Sequence, residues 1–124
     1  MTEDERALLR AVVASPDDDA PRLIYADWLE ENGRPERAEF IRLQCATVNV
    51  RKQDPRCRRA AKLLRGNRER WTAELPAVEE VRWIGWRELF YRGFASEAYL
   101  YDGTAAARRL AEVTAAAPVQ SLTL

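Results

Sequence analysis

The stretch "DDDAPRLIYADWLEENGRPERAEFIRLQ", Asp17 to Gln44, holds two helix starts and one helix stop, the signals of a helical hairpin. Asp18 or Asp19 can accept from the first free amides of a helix, Pro21 fits the first turn, and three acids suit the positive end of the helix dipole. Gly33 can close that helix as a left-handed C-terminal residue. Pro35 then opens another helix, with Ala38, Ile41, Leu43, Cys45 and Val48 available to pack. So short a link predicts antiparallel neighbours.

Toward the N-terminus, Thr2 with Glu5 forms a capping-box pattern, and Leu8, Leu9, Val12 and Val13 recur at helical spacing. A first helix is expected over about residues 3 to 14, ended by Ser15-Pro16. Toward the C-terminus, "QDPRCRRAAKLLRGNRERWTAEL" offers Asp54 as cap and Pro55 at the first position. Cys57, Ala61, Leu64, Trp71 and Leu75 fall near one face, and Gly66-Asn67 is a candidate bend.

From Trp83 the character changes. "RWIGWRELFYRGFASEAYLY" is dense in aromatics and contains Gly85 and Gly93, which suits strands and turns. "DGTAAARRLAEVTAAAP" reads as a helix capped near Asp102 to Thr104 and ended by Pro118. Aligning "ASEAYL", Ala95 to Leu100, with "VQSLTL", Val119 to Leu124, gives an offset of 24 residues with a shared apolar-x-x-apolar-x-Leu pattern. Leucine-rich repeats have periods of about 20–29 residues. Short matches arise by chance and strand-helix-strand units are common, but the alanine-rich helix of fitting length favours the repeat.

The fold class is therefore α+β: an N-terminal bundle of about four helices, then a small strand-helix-strand unit. Residues 1–75 form a helical cap region and residues 76–124 a leucine-rich-repeat-like edge, together one compact domain. A chain of 124 residues is long enough for one core. No apolar run approaches the roughly 18 residues of a membrane span, and the acidic "MTEDER" start lacks the basic region of a secretory signal. A soluble, cytoplasmic protein is expected.

Two cysteines, Cys45 and Cys57, are too few for a disulfide framework, and the absence of histidine leaves the common zinc spacings incomplete. It also removes Ser-His and Cys-His nucleophile pairs. Dinucleotide, Walker and nucleophile-elbow patterns are absent. The expectation is no enzyme and no cofactor or metal.

Charge is uneven although the net charge is zero. Residues 1–50 carry 6 Arg against 11 acids, residues 51–70 carry 9 Lys/Arg against 2, and residues 71–124 carry 5 Arg against 7. Within the basic island, Arg58, Lys62 and Arg65 share one helix face, a pattern suited to phosphate contacts. A solvated face paired with the acidic first half is the blander reading. Asp27 falls on a helix face with Leu23, Ile24 and Trp28, where a carboxylate needs a partner such as Arg22, Arg37 or Arg42; an Asp27–Arg42 structural pair outweighs catalysis. Asp17, Asp18 and Asp19 could bind a hard cation, but a cap with dipole complement outweighs that. Trp83, Trp86, Phe90, Tyr91 and Phe94 could form a base-stacking surface or an exposed binding patch, but most of the group reads as core where helices meet sheet.

Leu8 to Gln44 resembles the repeat-companion domain of planctomycete proteins, which typically precedes leucine-rich-repeat-like arrays; "DDDAPRLIYADWLEENG" and "ERAEFIRLQ" carry the likeness. "RGFASEAYL" and "APVQSLTL" resemble that family's later strands. The resemblance implies an architecture rather than a reaction: the helices cap a repeat sheet, and Val119, Gln120, Ser121, Leu122, Thr123 and Leu124 form the strand on which the next element pairs. The expected function is a non-catalytic protein-protein interaction or assembly module using that open edge, through self-association or another protein chain. The alternative is a nucleic-acid-binding accessory domain using the basic helix over residues 51–70.

Overall fold

The computed structural model describes residues 2–74, 81–83, 90–95, 97–100, 115, 117, 118 and 121–123. The described part is mostly helical, with four helices: α1 (Glu3–Ala14), α2 (Asp19–Glu31), α3 (Pro35–Ala46) and α4 (Pro55–Ala73).

Local chemistry sets the helix ends. Thr2 Oγ1 accepts from the Glu5 amide at 3.2 Å, Asp18 Oδ1 from the Ala20 amide at 2.9 Å, and Asp54 Oδ1 from the Arg56 amide at 2.9 Å. Each satisfies a donor that has no partner inside the helix. Pro35 and Pro55 stand in the first turns of α3 and α4, where a missing amide proton costs nothing. Gly33 follows α2 with φ +80°. Only half of the expected capping box forms: the Glu5 carboxylate is buried and accepts from Tyr25 Oη at 2.8 Å while pairing with Arg34 at 2.9 Å.

The strands are short: β1 (Val81–Trp83), β2 (Phe90–Tyr91), β3 (Phe94–Ala95), β4 (Glu97–Leu100) and β5 (Ser121–Thr123). β2 and β3 form an antiparallel hairpin with Phe90 opposite Ala95. Its two turn residues, Arg92 and Gly93, both have positive φ, 50° and 87°, as a two-residue turn matched to strand twist requires. A second sheet has the order β1-β4-β5. β4 and β5 run parallel, with Glu97 opposite Ser121, a spacing of 24 residues. The helix expected between them falls, apart from Ala115, Ala117 and Pro118, outside the described residues, as do Val119, Gln120 and Leu124.

α3 lies between α2 and α4 and faces two apolar clusters. Ala38 and Ile41 join Val12, Tyr25, Ala26, Leu29 and Phe94 on one side. Phe40 joins Ala60, Leu63, Trp71, Phe90 and Ala117 on the other. Phe40 stacks tilted on Trp71 at 4.9 Å and meets Phe90 edge-on at 5.8 Å. The Arg37 guanidinium bridges the clusters, 5.0 Å from the Trp71 ring, 4.9 Å from Phe90 and 5.7 Å from Phe94. Burial lowers its pKa to about 10, and the rings offset part of the lost hydration.

Two expectations about helix faces are corrected. Leu23 and Ile24 are exposed, at 39% and 55%, and Asp27 with them; α2 instead buries Arg22, Tyr25, Ala26 and Leu29. On α4 the buried stripe is Ala60, Leu63, Asn67 and Trp71, one step around from Cys57, Ala61 and Leu64. Gly66-Asn67 does not interrupt the helix, and the Asn67 side-chain amide donates to Glu36 at 2.7 Å and to the Leu63 carbonyl at 2.9 Å.

Candidate functional site

Turning α4 by that step leaves the Cys57, Ala61, Leu64 side facing a groove of about 620 Å3 rather than the core. The groove runs between the C-terminal end of α3, the following segment, α4 and the β2–β3 turn. Val48, Val50, Ala61 and Leu64 supply apolar lining. Lys52, Arg58, Arg65, Arg68 and Arg92 bring five cations, and no acid is among the described lining residues.

The β2–β3 turn forms one wall because Arg22 and Gln44 hold its backbone while its own Arg92 ties it to Asp17 and Asp19. Arg22, 1% exposed, donates from Nη1 to the Tyr91 and Arg92 carbonyls at 3.2 and 3.1 Å, and from Nη2 to the Pro16 carbonyl at 2.7 Å. Burial lowers its pKa. Gln44 accepts from the Gly93 amide at 2.6 Å and donates to the Phe90 carbonyl at 3.3 Å. Arg92 donates to the Asp17 carbonyl at 2.9 Å and pairs with Asp19 at 3.3 Å. Beneath the turn, burial pushes the Cys45 thiol up to about 11, and its Sγ points at the Arg92 carbonyl at 3.8 Å.

The cations of the basic island divide into two groups. Arg56 is satisfied by Asp54, which that contact holds at about 2, and Arg59 forms a two-point contact with Glu39 at 2.6 and 3.0 Å. Arg70 donates to Asn67. Arg51, Lys52, Arg58, Lys62, Arg65 and Arg68 are exposed, and their side chains have no ion pair or hydrogen bond among the described residues. Arg58 and Arg65 line the groove, whereas Lys62 stands outside it.

Asp27 accepts from Arg42 Nη2 at 2.7 Å, and the same nitrogen reaches Glu30 at 3.1 Å. At 69% side-chain exposure Asp27 is a surface carboxylate, in contrast to Glu5 and Arg22, which are buried. Among the described residues no cluster of three or more Cys, Asp or Glu could hold a metal, and no helix is long and apolar enough to cross a membrane. β5 pairs with β4 on one side and has no neighbour on the other among the described residues. The sequence signal for the groove was the second apolar stripe on α4 beside unpaired arginines, which reads as core until Ala60, Leu63 and Trp71 are seen to take that role.

No family model matches the chain, and neither the curated proteins nor the solved structures contain a match.

Proposed function

We propose that this chain is a non-catalytic assembly module: a helical cap beside a leucine-rich-repeat-like sheet whose outer strand, β5, pairs with another chain. The observation that carries the reading is the 24-residue parallel spacing of β4 and β5, which falls within the period of stacked leucine-rich repeats, together with the position of β5 at the end of the sheet order. An edge strand presents unpaired amides and carbonyls, so main-chain pairing supplies affinity without a dedicated side-chain motif. The Leu8–Gln44 resemblance to the repeat-companion domain supports the same architecture, since stacked repeats need atypical capping units.

The simplest partner is a second copy, pairing edge to edge in a closed two-fold arrangement. Light scattering of the full chain should give a mass above the 14.2 kDa monomer, falling to the monomer on deletion of Val119–Leu124 while circular dichroism retains the helices. A monomer before deletion, or association unchanged after it, overturns the reading. The nucleic-acid alternative draws on Arg58, Lys62 and Arg65 and is the competing outcome in the test that follows.

A further inference from the structure

We infer that the groove beside α4 docks an acidic segment of a partner protein, one in which an apolar side chain is flanked by carboxylates. This goes beyond pairing at β5 and does not depend on it, because the described lining of the groove comes from α3, the segment after it, α4 and the β2–β3 turn.

Charge is the first argument. Elsewhere on α4 this protein supplies acids to exposed arginines, as Glu39 does for Arg59 and Asp54 for Arg56. Around the groove Asp19 serves Arg92, but Lys52, Arg58, Arg65 and Arg68 stand without partners among the described residues. Arg65 and Arg68 are three apart on one helix, a like-charge spacing that costs stability unless a counter-charge joins them. Guanidinium groups grip carboxylates in two-point contacts, so carboxylates are the fitting counter-charge.

Shape is the second. Between the cations the surface is aliphatic, from Val48, Val50 and Leu64, with Ala61 leaving space above the helix. An apolar side chain entering there gains burial that a bare anion cannot. Arg58 and Arg68 are separated by about 15 Å along the helix, the span of about five residues of extended peptide.

The same surface fits a nucleic-acid strand poorly. Stacking requires aromatic faces, yet Phe40 is fully buried and Tyr91 is the one other aromatic lining the groove among the described residues.

The test uses fluorescence polarisation with a fluorescein-labelled peptide alternating pairs of Glu and Leu. Comparators are the same peptide with Gln replacing Glu, and a labelled single-stranded oligothymidylate. Arg58→Gln with Arg65→Gln removes charge, and Ala61→Trp fills the groove at unchanged charge; all three positions are exposed, and circular dichroism checks the fold. The inference expects the Glu-Leu peptide to bind, and each protein variant and the Gln peptide to weaken binding by about tenfold or more. It is overturned if the peptide does not bind, or if binding survives Ala61→Trp. It is equally overturned if the oligonucleotide binds more tightly than the peptide and loses affinity only with the arginines. The peptide assay reads the groove whatever the light-scattering result at β5, so the two proposals fail separately.

Discussion

Replacing Gly93 with alanine separates two costs that a turn glycine can hide. The first is backbone conformation: Gly93 has φ +87°, a region that costs an L-residue about 1–2 kcal/mol. The second is space. A Cβ at Gly93 would lie 2.5 Å from Ile41 Cγ1, 2.8 Å from its Cα and 2.9 Å from its Cβ. Ile41 is fully buried and two of those atoms are fixed to the α3 backbone, so no rotamer change clears the clash. Forcing an extra methyl into a filled core costs about 1–3 kcal/mol more, giving about 2–5 kcal/mol in all. Gly33 provides the matched control, since its φ is +80° but an added Cβ meets nothing within 4 Å. Gly33→Ala should therefore lose only about 1–2 kcal/mol. Any gain from restricting the unfolded chain applies to both variants and cancels in the comparison. Urea unfolding followed by circular dichroism and tryptophan fluorescence gives both values. Equal losses would refute the reasoning, because the seat of the turn on α3 would then contribute nothing. The result also bears on the groove, whose wall at Tyr91 and Arg92 rests on that contact.

Asp27→Ala should cost below about 1 kcal/mol in the same assay, because the Asp27–Arg42 pair is exposed and Arg42 keeps Glu30; a loss above about 2 kcal/mol would give Asp27 a role that its surface position does not explain. Cys45 should react slowly with a thiol-exchange reagent. Burial raises it from 9.0 to about 11, so at pH 8 its thiolate fraction falls by about 100-fold. In a Cys57→Ser chain, where Cys45 is the remaining thiol, a labelling rate within about threefold of free cysteine would contradict that burial. The sign for stability follows: the fold favours the neutral thiol, so this contribution is intact below the ordinary cysteine value and is lost as pH climbs from there through about 11.

The amino-acid sequence alone places the helix ends, because caps, N-terminal prolines and a left-handed glycine act on amides within a few residues of themselves. Thr2, Asp18, Gly33, Pro35, Asp54 and Pro55 therefore stand where local chemistry puts them. It also indicated the 24-residue spacing that β4 and β5 adopt, since a repeat of apolar positions is visible without knowing what pairs with what. Which face of each helix turns inward was decided only by tertiary structure. α2 and α4 each carry more apolar residues than one stripe needs, and a period of 3.6 cannot choose between adjacent stripes. On α2, Arg22 takes an inward position because the carbonyls of Pro16, Tyr91 and Arg92 meet it there, and Leu23 and Ile24 are left outside. On α4, Trp71 and Leu63 reach Phe40 and Phe90, and that packing turns Ala61, Leu64 and the unpaired arginines toward the groove. The contact joining Tyr91 and Arg92 to Arg22 spans about 70 residues of chain, so only the folded chain brings the groove's walls together.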